Sequence, residues 1–202
     1  MKLKTMIIAL FLASNIALYP YAKYELYCNR VLLELSREIA LTQEGVTEAG
    51  HNRGEVEKYL RIFDARGGTP YCAAGVYWCF YRAAINLNLE MDSIPIPKTM
   101  VADNIFLYAV KHGEPSLYSA KLDDLIVWRR RSNYRGHIER IIEVGEKGNV
   151  RTIAFNSSIQ SRLPHHRNGR KIEGVFIKRR NIYHPLSNLF VRGLIGFRTD
   201  KT

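Results

Sequence analysis

Apolar side chains recur at helical spacing near the start of the chain. Tyr24, Leu26, Tyr27, Val31, Leu32, Leu35 and Ile39 fall on one face, with Glu25, Arg30, Glu34 and Arg37 on the other. The pattern predicts an N-terminal helix over residues 23–43. A polar, glycine-rich stretch from Gly45 to Gly54 reads as a loop, and a short helix is expected over Glu55–Phe63. Arg66-Gly67-Gly68-Thr69-Pro70 breaks it. Tyr71–Ala84 is apolar almost all round, which predicts a buried helix with Thr69 as cap and Pro70 at its first position. Ile94-Pro95-Ile96-Pro97-Lys98 is a rigid linker, and Thr99 can cap a further helix over Met100–Lys111, ended by Gly113.

The period changes after Leu125. Leu125–Trp128 reads as a buried strand, and Gly136–Val144 as a second. Glu146-Lys147-Gly148-Asn149 makes a hairpin turn into a third strand, Val150–Phe155. Val175–Arg179 and Leu194–Arg198 are two more. Helices first and strands second predict an α+β fold, with N-terminal helices packed on a C-terminal antiparallel β-sheet.

Composition adds a core and a polarity. Apolar residues are 47% of the 202, enough for one packed domain, so bulk disorder is excluded. The net charge of +11 is uneven: residues 129–202 carry 17 Lys/Arg against five Asp/Glu, while the first 128 residues come to −1. A basic half of this kind suits a polyanionic neighbour, or is simply a solvated surface. Its clusters are Arg129-Arg130-Arg131, Arg167 with Arg170-Lys171, and Lys178-Arg179-Arg180. Anionic wall polymer or a membrane surface fits them. No recognised nucleic-acid motif accompanies the charge, which argues against nucleic acid.

Lys2 and Lys4 precede an apolar run from Met6 to Leu18, and Ala22 follows. This reads as a secretory signal peptide over residues 1–22, although Pro20 sits where a small residue is preferred. An uncleaved membrane anchor or a buried N-terminal helix is the alternative. Export to the periplasm or the extracellular space would favour disulfides, yet there are three cysteines, Cys28, Cys72 and Cys79. A Cys28–Cys79 pair would leave Cys72 free, and spacing does not decide it.

Cys72 carries the strongest chemistry. It stands just after the Gly-Gly-Thr-Pro break, in the first turn of the expected helix. Free backbone N–H groups and the helix dipole stabilise a thiolate there, and the Cys72 N–H can hold an oxyanion. The plainer alternative is a small buried core residue. Of the six histidines, His137 opens a strand directly after Gly136 and can serve as base; Asn156 ends the next strand and can orient the ring. Asn156-Ser157-Ser158 also spells a glycosylation sequon.

Residues 44–198 resemble the CHAP amidases, the cysteine- and histidine-dependent amidohydrolases and peptidases of the papain-like superfamily. The similarity rests on Gly45-Val46-Thr47-Glu48, Asn52-Arg53-Gly54, Val56–Leu60, Thr69-Pro70-Tyr71-Cys72-Ala73-Ala74 with Trp78, and Pro97-Lys98-Thr99. It continues in Asp124–Trp128, Gly136-His137-Ile138 and Ile195–Arg198. The resemblance implies a papain-like CHAP domain over residues 44–202. It implies Cys72 as nucleophile, His137 as general base and Asn156 near the orienting position, with Glu48, Asn52 and Tyr71 as substrate contacts. Helix capping and loop hydrogen bonding are the other reading of Glu48 and Asn52. The implied substrate is an amide bond in the stem peptide of peptidoglycan, cut by an amidase or an endopeptidase without metal or cofactor. The chain departs from the family in Leu122-Asp123-Asp124, in Glu139 where a glycine is frequent, and in the lack of an acidic residue beside Asn156. The alternative is a non-catalytic basic module for anionic cell-wall polymer on the same fold. No partner protein is identifiable from the sequence, and neither is a choice between remodelling of self wall and a toxin's action.

Overall fold

The computed structural model describes residues 21–160 and 171–199. The leader reading therefore lies outside the described residues up to position 20, as do the basic side chains of Arg167 and Arg170. No described helix is long and apolar enough to cross a membrane.

The N-terminal segment corrects the first expectation. Residues 23–43 are not one helix: strand β1, Lys23–Tyr27, precedes helix α1, Arg30–Leu41. Asn29 sets the boundary, because its extended backbone and its Oδ1, which accepts from the Leu32 N–H at 3.2 Å, start the helix there. Upstream, the chain hydrogen-bonds to the C-terminal strand instead. The lysine at the start of β1 is buried, and its ammonium reaches Asp124 at 2.6 Å. The span expected as a helix over 55–63 is two 3-10 turns, Gly54–Tyr59 and Arg61–Phe63, stopped by Asp64 in the left-handed region.

Helix α2 is Cys72–Asn86 and α3 is Ala102–His112. The start of α2 also departs from expectation: its cap is Tyr71, and Thr69 spends its hydroxyl on the Arg66 carbonyl. Cys72 is thus the first helical residue, and no side chain caps the helix, so its leading N–H groups stay available. Thr99 does not cap α3 either: the cap position is Val101, which has no side-chain cap, and the Thr99 hydroxyl accepts from the Val101 N–H at 3.2 Å just ahead of the helix.

Strands β2 (Glu114–Ser116), β3 (Leu125–Arg129), β4 (Gly136–Val144), β5 (Asn149–Gln160), β6 (Lys171–Asn181) and β7 (Phe190–Arg198) complete one sheet of order β2-β1-β7-β3-β4-β5-β6. The α+β class stands, but the sheet is mixed rather than antiparallel: β1 runs parallel to β7, and every other pair is antiparallel. Two strands, β1 and β2, precede the strand run expected from Leu125 onward. Short β2 lies at the edge, where Pro115 costs no ladder bond.

Alternation along β3 divides the core. Leu125 and Val127 join the three helices in the main cluster, while Ile126 and Trp128 face a smaller one with Ile141, Val150, Ile182 and Leu194. Gly75 lets α2 lie directly on β5, since a Cβ there would stand 2.3 Å from the Phe155 ring. The end of α2 that bears Cys72 is held against the sheet by this contact. Behind it, Arg140 is buried, donating to Asp123, the Ser36 hydroxyl and the Leu33 carbonyl. Arg37 also contacts Asp123, so two guanidiniums sharing one carboxylate link α1 to β4.

Candidate active site

Pairing between β4 and β5 runs only as far as Arg140 and Ile153. Beyond that point β5 bulges, its register on β6 slipping between Ala154 and Ser157, with Asn156 in the left-handed region at φ 53°. The uncapped end of α2 meets β4 where the two strands part. There the His137 ring and the backbone N–H groups of Ala73 and Ile138 surround the sulfur of Cys72 and favour its ionised form. Cys72 is 6% exposed and the His137 side chain 12%, so both touch solvent through a narrow opening.

Strand period places the third group. His137 and Glu139 project on the same side of β4, with Ile138 between them in the main core. His137 Nε2 lies 3.0 Å from Glu139 Oε1, which leaves the other ring nitrogen for Cys72. Glu139 is itself wholly buried. Arg180 of β6 clamps it through Nε at 2.9 Å and Nη2 at 2.8 Å, and the Thr152 hydroxyl of β5 donates to Oε2 at 2.5 Å. Every carboxylate oxygen is therefore satisfied, as a buried charge requires.

The electrostatics follow from this packing. Burial opposes ionisation of all three groups. For Cys72 the hydrogen bond and charge of His137 outweigh it and hold the thiol below its ordinary value. Burial would also keep His137 neutral, but Cys72 and Glu139 overcome it and raise the imidazole to about 10. Glu139 is held well below the carboxylate range by His137 and Arg180, against the same burial. Both shifts favour a thiolate–imidazolium pair. The other two cysteines differ sharply: burial pushes Cys28 and Cys79 up to about 12. All three are free thiols, so the pairing of Cys28 with Cys79 left open by spacing is not formed.

The residues expected from sequence separate into two groups. Cys72 and His137 meet. Asn156 lines the cleft beside them but does not orient the imidazole, because Glu139 occupies that place. Its backbone N–H hydrogen-bonds the Tyr71 hydroxyl instead. Tyr71 is fully buried and donates to Glu48 Oε1 at 2.9 Å, so it cannot reach a substrate. The other oxygen of Glu48 accepts from the Asn52 N–H at 2.7 Å. Glu48 and Tyr71 thus brace the loop against the start of α2, and of the three expected contacts only Asn52 lines the cleft.

The cleft measures about 680 Å³ and is strongly basic on one wall, with Arg130, Arg135, Lys178 and Arg180 around Cys72 and His137. A second hollow of about 550 Å³ adjoins the cleft, sharing Pro70, Cys72, Arg135 and Gly136 with it and lined further by Met100, Val101 and Tyr134. Among the described residues, no group of three or more His, Cys, Asp or Glu is placed to hold a metal ion. Glu139, Thr152 and Arg180 escaped the sequence reading. The available signal was a glutamate two positions after the histidine within an apolar strand run. Comparison of the chain with family models, curated proteins and solved structures finds no match in any of the three.

Proposed function

We propose that the protein is a cysteine hydrolase that cleaves amide bonds, with Cys72 as nucleophile, His137 as acid and base, and Glu139 as the group that orients and charges the ring. The observation that carries this reading is the buried Cys72–His137–Glu139 chain at an uncapped helix start. The Cys72 thiolate attacks the carbonyl carbon, and the free N–H at the start of α2 faces the developing oxyanion. The His137 imidazolium protonates the leaving nitrogen as the C–N bond breaks. Neutral His137 then takes a proton from water, which hydrolyses the thioester and restores the thiolate.

The CHAP resemblance supplies the papain-like assignment and the substrate class: stem-peptide amides of peptidoglycan, cut at the sugar–peptide junction or within the peptide. An exported protein, as the leader pattern implies, would meet that substrate. The basic wall around Cys72 suits a peptide rich in carboxylates. A peptidoglycan-containing gel tests the proposal. Clearing by the wild type and none by Cys72→Ser, with both proteins folded, is the expected result; equal clearing removes Cys72 from the mechanism. Mass spectrometry of the released fragments identifies the bond.

A further inference from the structure

Beside the cleft, the end of β3 lies against the start of β7, with Arg129 opposite Phe190 and Trp128 opposite Val191. A groove of about 320 Å³ runs there, lined by Arg129, Arg130, Arg131, Phe190, Val191 and Arg192. We propose that this arginine groove binds the phosphate groups of a soluble phosphodiester polymer and leads it toward the cleft.

Several of these guanidiniums are held in place before any ligand arrives. Asp103, 6% exposed, contacts Arg129 at 3.2 Å and Arg192 at 3.3 Å. Arg192 also stacks on Phe106 at 4.6 Å, and Arg131 on Phe190 at 4.2 Å. One carboxylate against four arginines leaves the groove cationic. Fixed planar forks lose little freedom on binding and match phosphate oxygens two at a time. Arg130 lines both this groove and the cleft that holds Cys72. A chain long enough to pass Arg130 therefore enters the cleft, whereas a single phosphate stays outside it.

The shape selects the partner. The arginines line a concave groove, which a single polymer chain can follow and the broad face of a bilayer cannot. Single-stranded nucleic acid stacks successive bases on aromatic platforms, whereas this groove has one aromatic ring, Phe190, over which Arg131 lies. The site stands whether or not Cys72 acts as a nucleophile.

Fluorescence anisotropy of a fluorescein-labelled glycerol-phosphate oligomer of about ten units tests it, with binding expected to weaken steeply as salt rises. Arg131→Gln, at an exposed position, should weaken binding about ten-fold, and Arg130→Gln/Arg131→Gln further. Arg151→Gln, with the same charge change on the β4–β5 hairpin, should bind as the wild type does, and so should Cys72→Ser. Thermal melting checks that each variant is folded. Absence of binding overturns the proposal, and so does equal loss in Arg151→Gln, which would reduce the effect to net charge. Displacement of the oligomer by phosphatidylglycerol vesicles at equal phosphate concentration would instead make the groove a membrane contact.

Discussion

Replacing Glu139 with Gln removes one charge and almost no volume. An amide oxygen can still accept from His137 Nε2, so ring orientation survives and the loss of charge is isolated. The rise of His137 from 6.5 to about 10 corresponds to roughly 5 kcal/mol of preference for the imidazolium. Burial works against that rise, so Cys72 and Glu139 together supply more than the net preference, and loss of the Glu139 charge should lower the imidazole. Arg180 then faces the ring without its carboxylate and drives the imidazole further toward the neutral form. The sign follows from linkage. A histidine raised in the folded state gives stability that is complete below about 6.5 and is lost as pH rises through about 10. In Glu139→Gln that loss should begin at lower pH, and the Cys72 thiol should rise as its counter-ion weakens. Iodoacetamide labelling of Cys72 followed from pH 5 to 10 is the assay. Wild type should label rapidly at pH 6, whereas Glu139→Gln should need a pH near that of an ordinary thiol. Identical profiles, with both proteins folded by circular dichroism, would refute the ion-pair reasoning.

Asn156→Gly should leave the labelling profile unchanged, because Gly accepts the φ of 53° and the imidazole depends on Glu139; a profile like that of Glu139→Gln would restore Asn156 as the orienting group. Gly75→Ala should lower stability by about 1–3 kcal/mol in a denaturant titration, since its Cβ would collide with Phe155 and lift α2 from β5. Tyr71→Phe should cost about 1–3 kcal/mol by leaving Glu48 and the Asn156 N–H without the hydroxyl. Its thiol labelling should remain, and loss of labelling in a folded variant would make Tyr71 part of the catalytic machinery.

Much of the fold was legible because one feature dominated each element. The apolar run from Tyr71 could only be a buried helix, and the alternation from Leu125 to Val144 could only be strands. The N-terminal segment failed for a physical reason. Tyr24, Leu26 and Tyr27 satisfy helical spacing, but the backbone of 23–27 finds a parallel partner about 170 residues away in β7. Local periodicity carries no information about such a partner. The burial of the lysine at position 23 depends on its ion pair with Asp124, which forms only when the strands assemble.

The site divides along the same line. The glycine–proline break before an apolar helix made Cys72 a candidate without excluding a core cysteine, and the family resemblance is what paired it with His137. The orienting group was sought in Asn156, one strand away, by the logic of family order. Strand geometry offered a nearer answer: positions two apart on a strand always share a face, so Glu139 was the acidic group that β4 itself delivers to the His137 ring. What sequence spacing could not supply was the reason a glutamate survives inside an apolar strand. That reason is spread over three strands, in Thr152 of β5 and Arg180 of β6, whose donors satisfy both carboxylate oxygens. A buried carboxylate compensated on one side by an arginine fork is left with a single direction in which to act, toward the imidazole, and the bulge at Asn156 opens the sheet where that imidazole meets the sulfur of Cys72.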